Sequence, residues 1–351
     1  MIPATAIAGG SLTYNVTKTA DTADGACTLQ DCSLREALIE ANGSPDSDII
    51  NVPAGTFKLT RTGRDENLSL TGDLDIRQAV EIRGAGARKT IVSGNGIDRV
   101  FHVPDLSLSQ PVQVWIQDVT ITGGVVAKTI GGGIYLQDPN ILFHLLRSTV
   151  RGNRALQGGG IQNGYPALAF GMVIERSTIS GNRAPGGQGG GIQNYGGMGI
   201  INSTISGNRS MFGGGINHFG GTILIRYSTI AFNVAQQPGG GIFGISGVSV
   251  EGSIIAKNTS DFTYARNCSG AVDSWGRNLE NGTSCGFTEL SDRSGNPRLD
   301  PLGNYGGPTN THRLLATSPA INRGGDSTLS TDQRGISRPR GAADDIGAYE
   351  R

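Results

Sequence analysis

The sequence predicts an all-β protein, a right-handed parallel β-helix built as a three-sheet solenoid. The first observation is an internal repeat, in which similar segments start 29, 26, 25 and 25 residues apart at Ser148, Ser177, Ser203, Ser228 and Ser253. A fixed period in this range is typical of folds that stack one structural unit on the next. The second observation is that each repeat contains only short apolar runs, and the third is a fixed pattern of asparagine and glycine between them.

Each repeat contains three segments with strand character. A run such as MVIE from Met172 or ILIR from Ile223 comes first, a Ser-Thr-Ile triplet follows, and a GGGI segment ends the unit after a loop of variable length. Runs of three to five residues are too short for helices and match the two-residue period of a strand. Neighbouring turns are therefore expected to pair along the axis at a spacing of about 4.8 Å.

Two columns of equivalent residues define the inside and one corner of this solenoid. Ile179, Ile205 and Ile230 occupy one position of successive repeats and are expected to stack inward. An asparagine follows at one bend, where it tolerates bend conformations and its amide can bond to its copies above and below. This predicted ladder contains Asn153, Asn182, Asn208, Asn233 and Asn258.

The ends of the chain differ from the repeats, although we expect one structural domain. Residues 1–50 form an N-terminal cap with a helix over 33–42, where Ser33 is the N-cap and Glu36 completes a capping box. Residues 51–117 form early, irregular turns, and residues 118–260 form the regular turns. Residues 261–351 contain loops and a polar tail that is expected to cover the C-terminal end as an irregular cap, because a solenoid exposes apolar surface at both ends.

Composition and charge exclude several classes of protein. The 351 residues include 56 glycines without a collagen period, and the formal net charge is zero, which gives no electrostatic support for nucleic-acid binding. No apolar run is long enough for a transmembrane helix. Four cysteines form two local pairs, Cys27 with Cys32 and Cys268 with Cys285, which indicates two disulfides and an oxidising compartment; reduced, buried thiols are the alternative.

The strand after the variable loop is the predicted binding surface. If the isoleucines of GGGI point inward, the next column points outward and contains Tyr135, Gln162, Gln193, Asn217 and Phe243. Glycines of the preceding outward column, flanked by these amides, would form a flat floor rich in hydrogen-bonding groups. Arginines that follow the asparagine ladder would form a basic rim suited to carboxylates or sulfates, and tyrosines would lie on the far side. The rim residues are Arg154, Arg183 and Arg209, and the tyrosines are Tyr165 and Tyr195. Stacking alone would also produce such columns, so a solvated structural face is the alternative.

Catalysis requires a residue that departs from the repeat, and His218 does so. With Tyr195 and Arg209, it could provide a base, an acid and a carboxylate neutraliser for β-elimination of a uronic acid. A surface histidine without a role is the alternative. A two-carboxylate hydrolase in the regular turns is disfavoured, because the carboxylates there are scattered. Four carboxylates gather earlier and could hold a calcium ion or line one end of the groove: Asp65, Glu66, Asp73 and Asp75.

Segments near both ends resemble families of bacterial secreted or surface proteins. CSLREALIEAN at 32–42 is similar to the CSLREA motif, and GDLDI at 72–76 resembles the turn that follows it. The tail segments PLGNYGGPTNTHRLLATSPAINRG and TDQRGISRPRGAADDIGAYE resemble the choice-of-anchor Q domain, and the GGGIQN repeats resemble those of polymorphic outer-membrane and other β-helix proteins. The resemblance implies a β-helix fold and a secreted or cell-surface location, and it carries no catalytic motif.

These observations lead to one functional prediction and two alternatives. We expect a monomeric protein that binds an extracellular, acidic polysaccharide; whether it is an enzyme stays open, and if it is, cleavage by β-elimination is preferred to hydrolysis. The first alternative is a non-catalytic adhesin-like surface protein. The second is a glycoside hydrolase whose carboxylates lie outside the regular turns.

Overall fold

The computed structural model describes residues 10–64, 66–106, 111–138, 140–164 and 171–351. Within them, the strands form four parallel sheets of ten, ten, eight and five strands, here called sheets A, B, C and D. Each regular turn runs through sheets A, B, D and C in that order, and equivalent residues of successive turns pair in register. The predicted parallel β-helix is confirmed.

The strands are numbered in chain order. Sheet A contains β1 (Thr13–Asn15), β2 (Asp48–Val52), β5 (Val80–Gly84), β8 (Val112–Gln117), β12 (Ile141–Leu146), β16 (Met172–Glu175), β20 (Met198–Ile201), β24 (Ile223–Arg226), β28 (Val248–Glu251) and β31 (Val272–Ser274). Sheet B contains β3 (Gly55–Lys58), β6 (Thr90–Ser93), β9 (Thr120–Thr122), β13 (Thr149–Arg151), β17 (Thr178–Ser180), β21 (Thr204–Ser206), β25 (Thr229–Ala231), β29 (Ile254–Ala256), β32 (Leu279–Glu280) and β33 (Arg293–Ser294).

The two remaining sheets lie between sheets B and A along each turn. Sheet C contains β4 (Leu74–Asp75), β7 (Phe101–Val103), β11 (Ile134–Leu136), β15 (Ile161–Asn163), β19 (Ile192–Asn194), β23 (Ile216–His218), β27 (Ile242–Gly244) and β30 (Cys268–Ser269). Sheet D contains β10 (Val125–Ile130), β14 (Arg154–Gln157), β18 (Arg183–Gln188), β22 (Arg209–Phe212) and β26 (Val234–Ala235).

Sheet D is an addition to the three predicted sheets. It occupies the segments that the sequence analysis treated as variable loops, and its strands differ in length: β18 has six residues and β22 has four. Register shifts occur within it, for example between Ala184 and Gln188. A segment of changing length with exposed polar residues has no constant strand period, which explains why the sequence did not predict this sheet.

The predicted columns are present inside the solenoid. Ile179, Ile205 and Ile230 are fully buried and pair in register. The asparagine ladder also forms, because the Asn208 Nδ2 donates to Asn233 Oδ1 at 2.9 Å and to the Ile179 carbonyl at 2.9 Å. The equivalent side-chain bonds join Asn153 to Asn182 at 3.1 Å and Asn182 to Asn208 at 3.0 Å. Each amide therefore satisfies buried backbone groups as well as its neighbours in the stack.

The glycines of the GGGI segment are required at two kinds of position. Gly189 has a φ of +66°, a left-handed conformation that costs little only for glycine. Gly191 lies against the asparagine ladder, where a Cβ atom would be 2.5 Å from the Gly215 carbonyl oxygen and 3.0 Å from Asn208 Nδ2. The triplet thus allows the chain to reverse tightly between sheets D and C.

The predicted N-terminal helix is observed as α1 (Leu34–Gly43). Ser33 Oγ accepts a hydrogen bond from the Glu36 N–H at 3.0 Å, and Glu36 Oε2 accepts one from the Ser33 N–H at 2.8 Å. The apolar side of α1 is buried against the first turns of the core, near Ile50 and Leu74. A short 3-10 helix (Thr263–Ala265) also occurs, and no helix of the described residues has the length and hydropathy needed to cross a membrane.

Both predicted disulfides are present. Cys27 is bonded to Cys32 just before α1, and Cys268 is bonded to Cys285 at the last turns. Cys32, Cys268 and Cys285 are buried in the main core. Each bridge therefore ties a non-repetitive segment to one end of the solenoid core.

The C-terminal tail lies elsewhere than predicted. Instead of covering the C-terminal end as an irregular cap, it runs back along the outer face of sheet B. Thr178 Oγ1 donates to the Asn310 carbonyl at 2.5 Å, and Thr204 Oγ1 donates to Gln333 Oε1 at 2.6 Å. The tail also forms a small apolar cluster with sheet B that includes Ile254, Leu279, Leu314, Ala320 and Ile346. The reason is that outward threonines give sheet B one hydroxyl per turn, which a polar tail can bond.

Candidate functional site

One outward column of sheet C runs the length of the solenoid. The predicted register from Tyr135 through Gln162, Gln193 and Asn217 to Phe243 is confirmed by the strand pairing. The pairing also extends this column toward the N-terminus, where His102 pairs with Tyr135 and Asp75 pairs with His102. We call this line of residues, from Asp75 to Phe243, the sheet C column.

The three amides of the column are buried, not laid open as the predicted flat floor. Gln162 is 2% exposed, and Gln193 and Asn217 are 0% exposed. The chain leaving sheet D folds beside them, so that Asn217 Nδ2 donates to Gln188 Oε1 at 3.3 Å as well as to Gln193 Oε1 at 2.7 Å. The surface predicted to bind a ligand is therefore bordered by sheet D, and we call the space between sheets C and D, which contains a cavity lined by residues of both, the trough.

Several amide atoms in this trough lack partners. Within the described residues, Gln162 Oε1, Gln193 Nε2 and Asn217 Oδ1 are buried and accept or donate no hydrogen bond. Leaving one such group unsatisfied costs about 1–3 kcal/mol, so native structures rarely concentrate three in adjacent turns. Because these atoms have almost no exposed surface, a ligand on the outer face would not reach them, and only a buried water could supply the missing hydrogen bonds.

Aromatic rings line the same trough. Tyr195 and Phe219 have ring centroids 5.9 Å apart, Phe219 and Phe243 are also 5.9 Å apart, and Phe212 lies 5.6 Å from Phe243. A cavity of about 250 Å³ lies at one end of this row, and its lining includes Tyr135, Tyr195 and Gln162. The trough thus combines apolar ring faces with unpaired amide atoms.

The predicted arginine rim is present on sheet D. Arg154 pairs with Arg183, and Arg183 pairs with Arg209, so one guanidinium projects from each of three successive turns. All three are exposed, and none has an ion-pair partner in the part of the chain that the structure describes. The column provides a strip of uncompensated positive charge beside the trough.

His218 does not lie where it was predicted. It has no exposed surface, because the alternation that turns Asn217 outward turns Ile216 and His218 to the inner side. Its Nδ1 lies 3.0 Å from Asn194 Nδ2, which places the ring in a corner ladder, and burial lowers the pKa of its imidazole. No hydrogen bond or ion pair of the described residues joins it to Arg209. A substrate on the outer face would not contact this histidine.

Of the two tyrosines predicted to line the binding surface, only Tyr195 lies within the described residues. Tyr195 is half-buried at the end of β19 and lines the trough cavity, close to the predicted position. Tyr165 lies outside the described residues. Of the three residues predicted to be catalytic, Tyr195 therefore lies in the trough and Arg209 lies on its rim. His218 is buried and faces neither.

A cluster of ionisable side chains forms the head of the sheet C column. His102 Nδ1 lies 3.0 Å from Asp75 Oδ1, and its Nε2 lies 3.1 Å from Gln137 Oε1. The imidazole stacks on Tyr135 with centroids 5.1 Å apart, and the Arg99 guanidinium carbon is 5.3 Å from the centroid of the same ring. Tyr135 thereby connects this cluster to the trough cavity.

Asp73 is the most perturbed carboxyl of the cluster. Burial raises its pKa to about 8, against the opposing effect of Arg99, and the neighbouring charges of Asp75 and Asp98 raise the pKa further. Arg99 Nε lies 3.1 Å from Asp73 Oδ2. A carboxyl that titrates near neutral pH can accept or donate a proton under physiological conditions, which is the property required of an acid–base catalyst.

Helix α1 positions this cluster through Arg35. The buried guanidinium donates to the carbonyls of Ser69, Gly72 and Asp73 at 2.9, 2.8 and 3.0 Å, and it pairs with Asp21 at 2.6 Å. The Ser69 N–H in turn donates to Asp75 Oδ2 at 2.9 Å. The arginine of the CSLREA-like motif thus fixes the position of the segment before β4.

The donor set does not match the predicted calcium site. Ligand atoms of Asp73, Asp75 and His102 lie within 4.8 Å of one another, but Arg99 and the Ser69 N–H already face the two carboxylates. Calcium requires six to eight oxygen ligands. Glu66 bonds instead to the backbone N–H groups of Leu68 and Thr71, and Asp65 lies outside the described residues. We therefore derive no step through a metal ion.

His102 and Arg99 were not predicted as site residues, because the early turns lack the GGGI and Ser-Thr-Ile patterns. A signal was present: RVFHV from Arg99 alternates in the same way as GIQN, and His102 follows an inward phenylalanine as Gln162 follows an inward isoleucine. Extending the outward column by one turn would have found it.

Comparison with known proteins gives limited information. The sequence matches no protein-family model and no curated protein. Among solved structures, the chain is similar to the crystal structure of pectate lyase Pel9A, with a TM-score of 0.46 and 16% sequence identity. The alignment covers 98% of this chain and 97% of that chain. A likeness of this degree does not bear on the chemistry of the site.

Proposed function

We propose that this protein binds an extended extracellular polysaccharide in the trough between sheets C and D. The observation that carries the proposal is the row of aromatic rings that ends at a cavity of about 250 Å³ lined by Tyr135, Tyr195 and Gln162. The apolar faces of sugar rings would pack on these aromatic side chains.

The proposed ligand is acidic because of the arginine column. Guanidinium groups bind carboxylates and sulfates through two parallel hydrogen bonds, and exposed arginines without partners are available for this. Successive arginines recur at the strand spacing of about 4.8 Å along the axis. A polymer with charge repeated along its length and lying parallel to the axis fits such a strip.

The cluster at the head of the column favours a second proposed function, eliminative cleavage of the same polymer. In this reaction a base removes the proton next to the uronate carboxylate, the electron pair forms a carbon–carbon double bond, and the glycosidic oxygen leaves. Tyr135 lines the trough cavity, and Arg99, which lies beside the Tyr135 ring and pairs with Asp73, would neutralise a carboxylate there. Asp75 and His102 would hold Tyr135 in place.

Hydrolysis by the same carboxylates is the rival reaction. Asp73 and Asp75 lie outside the regular turns, as the hydrolase alternative requires. The two reactions differ in their products, since elimination leaves an unsaturated sugar that absorbs ultraviolet light and hydrolysis does not.

A secreted location and a monomeric state belong to this proposal. The two disulfides support an oxidising compartment such as the extracellular space. The CSLREA-like and anchor-like segments, if they reflect ancestry, fit a released or surface-attached protein. An adhesin-like surface protein without catalysis would share all of these properties and differ only at the trough.

Binding is tested by calorimetry with a panel of neutral and acidic polysaccharides, with and without a chelator. Arg183→Ala is expected to weaken binding of acidic members about tenfold, the loss of one charge-assisted contact of about 1.4 kcal/mol, and to leave neutral members unaffected. Arg293→Ala, an exposed arginine at the last turn, is the matched control. If no panel member binds, the surface-protein alternative is preferred.

Cleavage is tested on the polymers that bind. His102→Gln and Tyr135→Phe are each expected to lower turnover by at least about 100-fold while affinity is retained, because they change the acid–base cluster and not the amides. Ultraviolet absorbance and reducing ends are recorded together. New reducing ends without ultraviolet absorbance would show that the reaction is hydrolysis and not elimination. Full activity in both variants would show that this cluster takes no part in the mechanism.

A further inference from the structure

A serine and a histidine meet on the outer face of sheet B, far along the chain from each other. Ser206 is the last residue of β21, and His312 belongs to the C-terminal tail. Ser206 Oγ lies 2.9 Å from His312 Nε2, and His312 Nδ1 lies 2.8 Å from the Asp300 carbonyl oxygen. Both side chains are almost fully buried, and neither belongs to the trough.

The hydrogen bonds define which ring nitrogen carries the proton. A carbonyl oxygen only accepts, so His312 Nδ1 carries the hydrogen and donates it to Asp300. His312 Nε2 then has a free lone pair and accepts the hydroxyl hydrogen of Ser206. This is the arrangement in which a histidine acts as the base for a serine nucleophile. Burial lowers the pKa of His312, which keeps the imidazole neutral and able to accept a proton.

An apolar pocket opens beside the serine. It has a volume of about 410 Å³ and is lined by Ser206, Phe232, Leu299, Pro301, Leu302 and His312. The Phe232 ring centroid is 5.0 Å from the centroid of the His312 ring. Aliphatic and aromatic side chains of this kind accept an acyl chain and offer no charge to bind a polar one.

We propose that Ser206 and His312 form a catalytic dyad that hydrolyses carboxylic esters with a short acyl group. Ser206 Oγ attacks the acyl carbon while its proton passes to His312 Nε2, and the alcohol leaves with that proton. Water then attacks the acyl-serine, gives its proton to the same nitrogen and releases the carboxylic acid and the free serine.

The alternative is that the contact between Ser206 and His312 only anchors the tail to sheet B. The neighbouring anchors do not resemble it, because Thr178 bonds to a carbonyl and Thr204 to an amide, and neither faces a base. Ser180 occupies the equivalent position one turn earlier in the same sheet. It therefore serves as a matched control for the nucleophile.

The first experiment treats the intact protein with a fluorophosphonate probe and maps the modified residue by mass spectrometry. We expect Ser206 to be labelled and Ser180 to remain unlabelled. The second measures hydrolysis of p-nitrophenyl acetate and butyrate, where Ser206→Ala and His312→Gln should each lower the rate by at least about 100-fold and Ser180→Ala should not.

Two results would overturn the dyad: absence of labelling at Ser206 in the folded protein, or undiminished ester hydrolysis by Ser206→Ala. Labelling of the unaltered protein provides the answer even if a variant does not fold. Neither readout involves a polysaccharide, so this test and the test of the trough succeed or fail separately.

Discussion

The outer faces of sheets B and C belong to the same turns of one solenoid, yet they differ in how their polar groups are satisfied. On sheet B the threonine column is covered by the C-terminal tail, and Thr178 and Thr204 each bond to it. On sheet C the amide column has no such cover from the tail, and three of its buried atoms lack partners in the described residues. The bonding groups of these threonines are satisfied within the chain, whereas the three amide atoms on sheet C are not.

Two glutamines illustrate the difference. The tail residue Gln333 is fully buried on sheet B, where its Nε2 donates to Thr309 Oγ1 and to the Asn310 carbonyl, both at 2.9 Å, and its Oε1 accepts from Thr204. Gln193 on sheet C is equally buried, but its Nε2 donates to nothing in the described part of the chain. The same type of side chain is thus bonded through both its oxygen and its nitrogen on sheet B, and through its oxygen alone on sheet C.

The largest effect is expected for the tail residue Arg338. Its guanidinium pairs with Glu350 at 3.0 Å and donates to the Gly347 and Asp345 carbonyls at 2.6 and 2.9 Å. Arg338→Ala leaves the buried Glu350 without its cation, so the free energy of unfolding in urea should fall by about 4 kcal/mol. Exposed Arg340→Ala should change it by less than about 0.5 kcal/mol. Equal effects of the two variants would show that the tail does not stabilise the covered face.

The next effect is expected for Gln333→Ala. This change leaves Thr204 and the Asn310 carbonyl short of a buried partner, and a loss of about 2–3 kcal/mol in the free energy of unfolding should follow. Urea denaturation measures it, and polysaccharide binding in the trough should be unaltered. A change in trough affinity would mean that the two faces are coupled, contrary to our comparison.

The covered face should also weaken in acid through His312. Its folded-state pKa lies below the ordinary value of 6.5, because burial disfavours the charged ring. The unfolded chain therefore binds more protons below pH 6.5, and stability is lost as the pH falls, by at most about 1.4 kcal/mol per pH unit. In His312→Gln this contribution is absent, so its unfolding free energy should depend less on pH between 7 and about 5. Identical pH profiles would contradict the assignment.

The smallest change in stability is expected on the open face. Gln193→Ala removes one bond, to Asn217 at 2.7 Å, and should cost about 1 kcal/mol in unfolding free energy. Polysaccharide affinity, measured by calorimetry, should be unaltered, because Gln193 has no exposed surface for a ligand to contact. A loss of affinity of about tenfold would show that a ligand does reach the buried amides.

Residue spacing in the sequence predicted much of the fold. Ile179, Ile205 and Ile230, the asparagine ladder, both disulfides and the capping box of α1 occur as predicted. In each case the sequence contains local or strictly periodic information. The arginine column was predicted for the same reason, since Arg154, Arg183 and Arg209 follow the ladder by one residue.

The candidate site was predicted only in part. The column of Gln162, Gln193 and Asn217 was found, but its burial was not, because sheet D folds over it from a segment of variable length. His218 was misplaced by neglect of the two-residue alternation, and His102 was missed because its turn lacks the repeat signature. The path of the tail depends on contacts between residues far apart in the chain, and no local sequence pattern specifies it.

The sequence by itself determined the stacking: the period, the inward isoleucines and the asparagine corner follow from chemistry that repeats every turn. Only the tertiary structure decided which outer face is covered, because the contacts of Gln333 and His312 join residues more than 100 positions apart in the chain. It also brought Asp73, His102 and Tyr135 together at the head of the trough. Periodic contacts are encoded by neighbours in register, whereas these contacts depend on where a non-repetitive segment comes to lie.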